Sequence, residues 1–346
     1  MLRWLILLSS AVVLAFTLRN DTPYTLSIPA SFGHRYTIPP DNPMTVEGVA
    51  LGRFLFYDSL LSKNNTISCS SCHQQNRAFT DGFALSIGVN GRTTARNSMS
   101  LANLLWVRHF FWDGHSPTLE DQALIPMAHP DELGLAPEKA ARKLQQTAFY
   151  PSKFKRAFGT DSITPLLMAK ALAQFERSLI SAQAPYDRYL RHQYTLTNAE
   201  KRGMDLFMRT SDPAEGIRGA NCAHCHGGAQ FFQNVFHNNG LDASPLDPGR
   251  QEVTGFDADF ARFRVPTLRN IAVTGPYMHD GRFRTLEEVI DHYSEHVASS
   301  RTLSTDLKGP MHLTSSEKKD LIAFLHTLTD TEFLQNPAFS NPFLTQ

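Results

Sequence analysis

Every cysteine in this chain lies in a Cys-x-x-Cys-His pentapeptide: Cys69-Ser70-Ser71-Cys72-His73 and Cys222-Ala223-His224-Cys225-His226. All four thiols are thereby accounted for, and none is left over for a disulfide elsewhere. The spacing answers a geometric demand. Two thiols so placed add to the two vinyl groups of one porphyrin, and the adjacent imidazole becomes an axial ligand of its iron. A zinc ribbon also uses two Cys pairs but sets them about 15 to 20 residues apart, whereas a whole domain separates these. The motifs therefore imply two covalently bound haem c groups, attached through Cys69, Cys72, Cys222 and Cys225, with His73 and His226 as proximal iron ligands.

The two motifs sit in related contexts. Gly52-Arg53-Phe54-Leu55-Phe56 precedes the first and Gly203-Met204-Asp205-Leu206-Phe207 the second, so the chain contains an internal duplication. A length of 346 residues suits two domains. Capping boxes start helices at Thr197 with Glu200, Thr285 with Glu288 and Thr314 with Glu317. Apolar residues recur at helical spacing over Leu166 to Ile180 and Leu321 to Leu328, while period-two runs are scarce. The expected fold is mainly α. The junction falls near Tyr186 to Thr195, giving domains over 21–190 and 191–346, and Ser244 to Gly255 reads as a long loop.

Arg3 followed by the apolar stretch Trp4 to Leu18 reads as an export signal over 1–20, or as an uncleaved N-terminal membrane anchor. Either places the bulk of the chain in the periplasm. With 33 basic and 33 acidic residues and no long like-charge run, nothing favours nucleic acid.

Several further motifs resemble the bacterial di-haem cytochrome c peroxidase family, which includes the MauG-type enzymes. They are Leu51 to Phe56, Phe79-Thr80-Asp81-Gly82, Arg96-Asn97-Ser98, Phe111-Trp112-Asp113-Gly114, and Val265 to Asn270 running into Pro276 to Gly281. The resemblance covers nearly everything after the leader and implies two cytochrome c-like domains, each with one covalently bound c-type haem. It places the peroxide site on the distal face of the first haem, with Gln122, Pro126 and Glu132 at the family's offsets after Phe-Trp-Asp-Gly. Glu132 becomes the general acid-base, and Trp112 the aromatic residue between the haems. His115 stands where the family has an Arg. Typical peroxidases of the family carry a removable His ligand after Ser-Ile-Gly; here Ser86-Ile87-Gly88 is followed by Val89, which cannot ligate iron. The first haem is therefore expected to be open in the oxidised protein, with His109 and His115 the nearest substitutes.

For the second haem the resemblance makes Tyr293 the distal iron ligand, as in MauG-type proteins, where typical peroxidases have Met. On a continuous helix Tyr293 shares a face with Leu286, Val289 and Ile290; His292, His296 and Met278 are the alternatives. The family's calcium ion, held by an Asn and a Thr-x-Pro turn, maps onto Asn97, Thr274 and Pro276, and oxygen donors suit such a cation.

Two enzymatic readings follow. In the first, hydrogen peroxide is reduced with electrons from a redox protein such as cytochrome c. In the second, a MauG-like enzyme uses the same oxidising power on a side chain of a partner protein. Val89 and Tyr293 lean toward the second; Ala220, where MauG-type proteins carry a tryptophan, leans against it. A plain electron-transfer cytochrome, with both irons closed, is disfavoured by Val89 and by the Gln122, Pro126 and Glu132 set.

Overall fold

The computed structural model describes residues 22–211, 215–307 and 309–344. The expected leader lies outside them. The fold is mainly helical, and the one sheet among the described residues is a two-stranded antiparallel pair, Phe236–His237 with Phe263–Arg264. No helix among them is long and apolar enough to cross a membrane.

Two helix crossings organise the chain. Val46–Tyr57 packs on Pro165–Ser178, and Asn198–Met208 packs on Ser315–His326. Each helix starts at a threonine whose side chain accepts from a backbone N–H of the first turn: Thr45, Thr164, Thr197 and Thr314. The glycines of the duplicated run lie at the crossings. A Cβ on Gly52 would sit 1.9 Å from the Ala171 carbonyl oxygen and 2.9 Å from the Phe175 Cβ; a Cβ on Gly203 would sit 1.9 Å from the Asp320 carbonyl oxygen and 2.9 Å from the Phe324 Cβ. What is duplicated is thus a packing unit that requires a residue without a side chain.

A second block repeats as well. The left-handed residues Asn103 and Asn270 each open a short 3-10 turn, and Phe110 and Tyr277 each pair with a residue across a tight loop, at Ser116 and Phe283. Within those loops Phe111-Trp112-Asp113-Gly114 matches Met278-His279-Asp280-Gly281, with positive φ at the first and last residue of both. Thr118 and Thr285 then cap the helices Leu119–Ala128 and Leu286–Asp291.

One core gathers Leu55, Phe56, Phe79, Phe154 and Phe175, and a second gathers Tyr186, Phe207, Phe231, Phe324 and Leu328. Between them a smaller cluster joins Phe32, Leu105, Trp106 and Ala182 to Phe232 and Val265. Some residues after 190 pack with the first core, Val273 among them. The last helix, Thr331–Gln335, returns to the first core, where Phe333 and Phe339 are buried.

Candidate haem sites and a peroxide pocket

Cys69–Cys72 forms a single helical turn, steadied by the Ser68 N–H donating to the Ser71 hydroxyl at 3.0 Å. Both thiols are free and partly buried. His73 follows at once, its N–H bonded to the Cys69 carbonyl at 3.0 Å. Its Nδ1 donates to the Phe79 carbonyl at 2.7 Å, which leaves Nε2 with a lone pair for a metal. The second motif repeats this arrangement. The His226 N–H reaches the Cys222 carbonyl at 2.8 Å, and its Nδ1 donates to the Pro266 carbonyl at 3.1 Å. Burial keeps both rings neutral, pulling His73 down and His226 to about 4. A buried neutral imidazole with a fixed tautomer beside two free thiols is the donor set that a c-type haem takes. Cys69 packs with the first core and Cys222 with the second, so the two pairs do not converge on one metal.

Gln122 and Pro126 lie one turn apart on Leu119–Ala128 and so share a face. Glu132 follows in a tight turn closed by the Gly134 N–H to the His129 carbonyl, with Gly134 at φ 64°. Its carboxyl is partly buried; desolvation raises its pKa, opposed by His129, whose Nδ1 lies 3.9 Å away. The Glu132 carboxylate lies within electrostatic range of both Cys69 and Cys72. Glu176, which sequence reading passed over, is buried near Cys69 with one carboxyl oxygen unpartnered, and desolvation pushes it to about 8.

The loop after Ser86 is clasped to the Glu132 turn. The Val89 N–H donates to the Glu132 carbonyl at 2.8 Å, Asn90 Nδ2 to the Pro130 carbonyl at 2.9 Å, and Arg92 pairs with Asp131 at 2.5 Å. Neither substitute histidine is brought to this face. His115 is exposed, stacked on Phe111 at 4.2 Å and bonded to Asp113 at 2.6 Å. His109 rests beside Phe236 at 6.1 Å.

Trp112 sits at the seam between the domains. Its Nε1 donates to the Asn97 carbonyl at 2.8 Å, and its ring lies 6.5 Å from its counterpart in the repeat, His279. The Asn97 N–H donates to the His279 carbonyl at 2.7 Å, which brings Asn97 to the loop that follows Thr274 and Pro276. The Asn97 amide nitrogen is engaged by the Phe83 and Ala84 carbonyls, at 2.9 and 3.2 Å.

On the second side, Leu286–Asp291 does not continue as a plain helix. Residues His292–His296 form one π turn, so the expected register is altered from His292 onward. Tyr293 is partly buried and lies within electrostatic range of Cys225 and Cys222; desolvation pushes its hydroxyl up to about 12. Asn239 Nδ2 contacts both the Tyr293 hydroxyl and the Met278 sulfur at 3.3 Å. His292 is tied instead to the Asn239 carbonyl at 3.0 Å, and His296 is exposed. Asn239 gave no signal in the sequence. The acceptors of the proximal histidines gave none either, because they are backbone carbonyls. The repeat adds one relation: Tyr293 is the eighth residue after Thr285, and Pro126 the eighth after Thr118. By this count a phenol in the π turn corresponds to a side chain without a donor in the regular helix Leu119–Ala128.

Residues 46–195 match the family described as di-haem cytochrome c peroxidase. The methylamine utilization protein MauG of Methylophilus methylotrophus is 32% identical over 94% of this chain and 95% of its own. The cytochrome c551 peroxidase of Nitrosomonas europaea is 33% identical over 89% and 85%. The crystal structure of a MauG-like protein associated with microbial copper homeostasis superposes with a TM-score of 0.85 at 38% identity, covering 92% of this chain and 99% of that one. With paired histidine and thiol sites, a repeated helical frame and these likenesses along almost its whole length, the chain belongs to the di-haem cytochrome c peroxidase and MauG family.

Proposed function

We propose that this protein is an exported, peroxide-dependent oxidase whose two cytochrome c-like domains each carry one covalently attached haem c, and that it directs the oxidising power of hydrogen peroxide at a side chain of a partner protein. The observation that carries the peroxide reading is the correspondence of Pro126 with Tyr293. Tyr293 offers a phenol over the second motif and would close that iron. Pro126 offers no donor at the matching place, and Val89, held to the Glu132 turn by its N–H, carries no atom that can ligate iron.

When bound, haem supplies the two-electron reduction of peroxide and storage of the oxidising equivalents. The protein supplies the proton transfers. Glu132 accepts a proton from one peroxide oxygen and returns it to the other, so that water leaves. Gln122, one turn from Pro126, is placed to orient the peroxide, and Pro126 keeps the face free of a competing ligand. Trp112 joins the two domains through Asn97 and His279 and gives an electron an aromatic stepping stone between them. Asn97, Thr274 and Pro276 are proposed to hold a calcium ion that fixes this seam. A phenolate from Tyr293 stabilises oxidised iron, which supports a MauG-like use of the stored equivalents over acceptance of electrons from a high-potential donor.

A second reading, peroxide reduction with a redox protein such as cytochrome c as donor, is favoured by Ala220. This residue is buried, and no aromatic side chain occupies the place from which MauG-type proteins reach a protein substrate. One equivalent of peroxide added to the oxidised protein should change the haem spectrum at once; a spectrum unchanged until one haem is reduced would refute the open site. Rapid steady turnover of reduced cytochrome c would then select the second reading.

A further inference from the structure

Three arginines among the described residues are almost wholly buried: Arg177 and Arg264 at 5% exposure and Arg269 at 1%. Two of them show how this fold satisfies a buried guanidinium. Arg177 grips both oxygens of Glu120 at 2.8 and 2.7 Å, and Arg269 grips both oxygens of Asp187 at 2.8 Å. Arg264 is different. Its Nε donates to the Phe111 carbonyl at 3.2 Å and one terminal nitrogen lies 3.2 Å from the Met99 sulfur, a weak acceptor. No carboxylate among the described residues pairs with it. A guanidinium does not shed its proton in proteins, so a buried one must meet an anion or bear a heavy desolvation cost.

The position says where that anion comes from. Arg264 lines a small cavity between the domains with Met99, Ser100 and Leu104 on one side and Phe232 and Pro266 on the other. One end of this wall adjoins one haem-motif histidine and the other end touches the second. Ser98, beside Met99, has its hydroxyl 3.4 Å from His73 Nδ1, and the Pro266 carbonyl accepts from His226 Nδ1. The same interface buries a donor that has no acceptor, the Trp106 indole N–H, which packs in the cluster with Phe232 and Val265. A cation without a carboxylate and a donor without an acceptor thus border a seam between two haem sites, and the periphery of each haem carries two carboxylates.

We propose that Arg264 is the counter-cation of a haem propionate at the seam between the two domains, and that it thereby raises the reduction potential of that haem. A fixed positive charge in a low-dielectric setting favours the reduced, less positive iron, and pairing with the guanidinium holds the propionate ionised. Arg264 is a positioning residue; it touches neither the peroxide nor the iron. The assignment depends on haem attachment and not on the identity of the reductant.

Optical redox titration of the di-haem protein tests this, repeated across the pH range in which carboxylates titrate. In Arg264→Met one midpoint potential should shift downward, well beyond any shift of the other, and should become pH-dependent as the unpaired propionate takes up a proton. Arg264→Lys, which keeps the charge, should restore most of the potential and suppress the new pH dependence. If Arg264→Met yields too little di-haem protein, Arg264→Gln, neutral but still a donor to the Phe111 carbonyl, gives the same reading. Unchanged midpoints in a neutral variant that carries both haems would overturn the assignment, as would a lysine variant that falls as far as the neutral one. Wild-type midpoints that follow chloride concentration would identify a bound ion as the partner and overturn it too.

Discussion

In the proposed reaction, burial is what suits Glu132 to accept a proton. A carboxyl in open water ionises too readily to hold a proton well, whereas burial within the protein raises the affinity of Glu132 for one. Only the ionised form can take the proton of peroxide, so the reaction should slow as pH falls through the folded-state pKa of Glu132. Because that pKa is raised, the acid limb should lie above the ordinary carboxylate range. Glu132→Gln should slow peroxide cleavage by about 100- to 10,000-fold and abolish that limb while both haems stay attached. Stopped-flow rates against pH check this, and an acid limb that persists in the variant would remove the assignment. Glu132 was singled out through the family resemblance, since by itself Pro130 to Gly134 reads as an exposed acidic loop. Phe79 and Pro266 were not, since their carbonyls orient the proximal histidines and any residue has a carbonyl. Arg264 could not be singled out either, because only burial reveals that it lacks a carboxylate.

At the level of elements, the duplicated Gly-x-x-(Leu/Phe)-Phe run was readable, but its cause was not. Gly52 and Gly203 are needed because the partner helix presents a backbone carbonyl where a Cβ would go. That fact belongs to two helices more than a hundred residues apart, which no local pattern reports. Capping boxes placed the helix starts at Thr197, Thr285 and Thr314 correctly, since a cap is satisfied within one turn. The π turn at His292–His296 escaped them, because it is a fault in hydrogen-bond register rather than in side-chain pattern. Gly203→Ala should force the Ser315–His326 helix outward and cost about 1–3 kcal/mol as an overpacked contact. Thermal unfolding followed at the second haem should shift down while the peroxide reaction at the first survives. An unchanged midpoint would mean that the crossing is looser than its geometry states.

For the molecule as a whole, the two halves are joined by more than their shared interface. Asp330, buried at 1% exposure, accepts from the Ser181 hydroxyl and from the N–H groups of Ala182 and Gln183, so it pins the stretch leading from the first core to the second. Beyond it the chain crosses back. Gln75, two residues after His73, donates to the Phe333 and Asn336 carbonyls at 3.3 and 2.8 Å, Arg53 donates to the Ser340 carbonyl at 2.7 Å, and the Tyr57 hydroxyl donates to the Phe339 carbonyl at 2.7 Å. The end of the sequence therefore completes the domain that holds the beginning, a relation that the order of the motifs conceals. Ending the chain at Asp330 should thus weaken the distant haem site and spare the nearby one. Burying Phe333 and Phe339 contributes about 3–6 kcal/mol at about 1.5–3 kcal/mol each, a large share of a typical domain's stability of about 5–15 kcal/mol. Thermal unfolding followed at each haem separately should show the first melting earlier in the shortened chain, with the second close to its original midpoint. Equal losses at both would show instead that the two halves unfold as one unit, and a loss confined to the second haem would contradict the packing of the last helix.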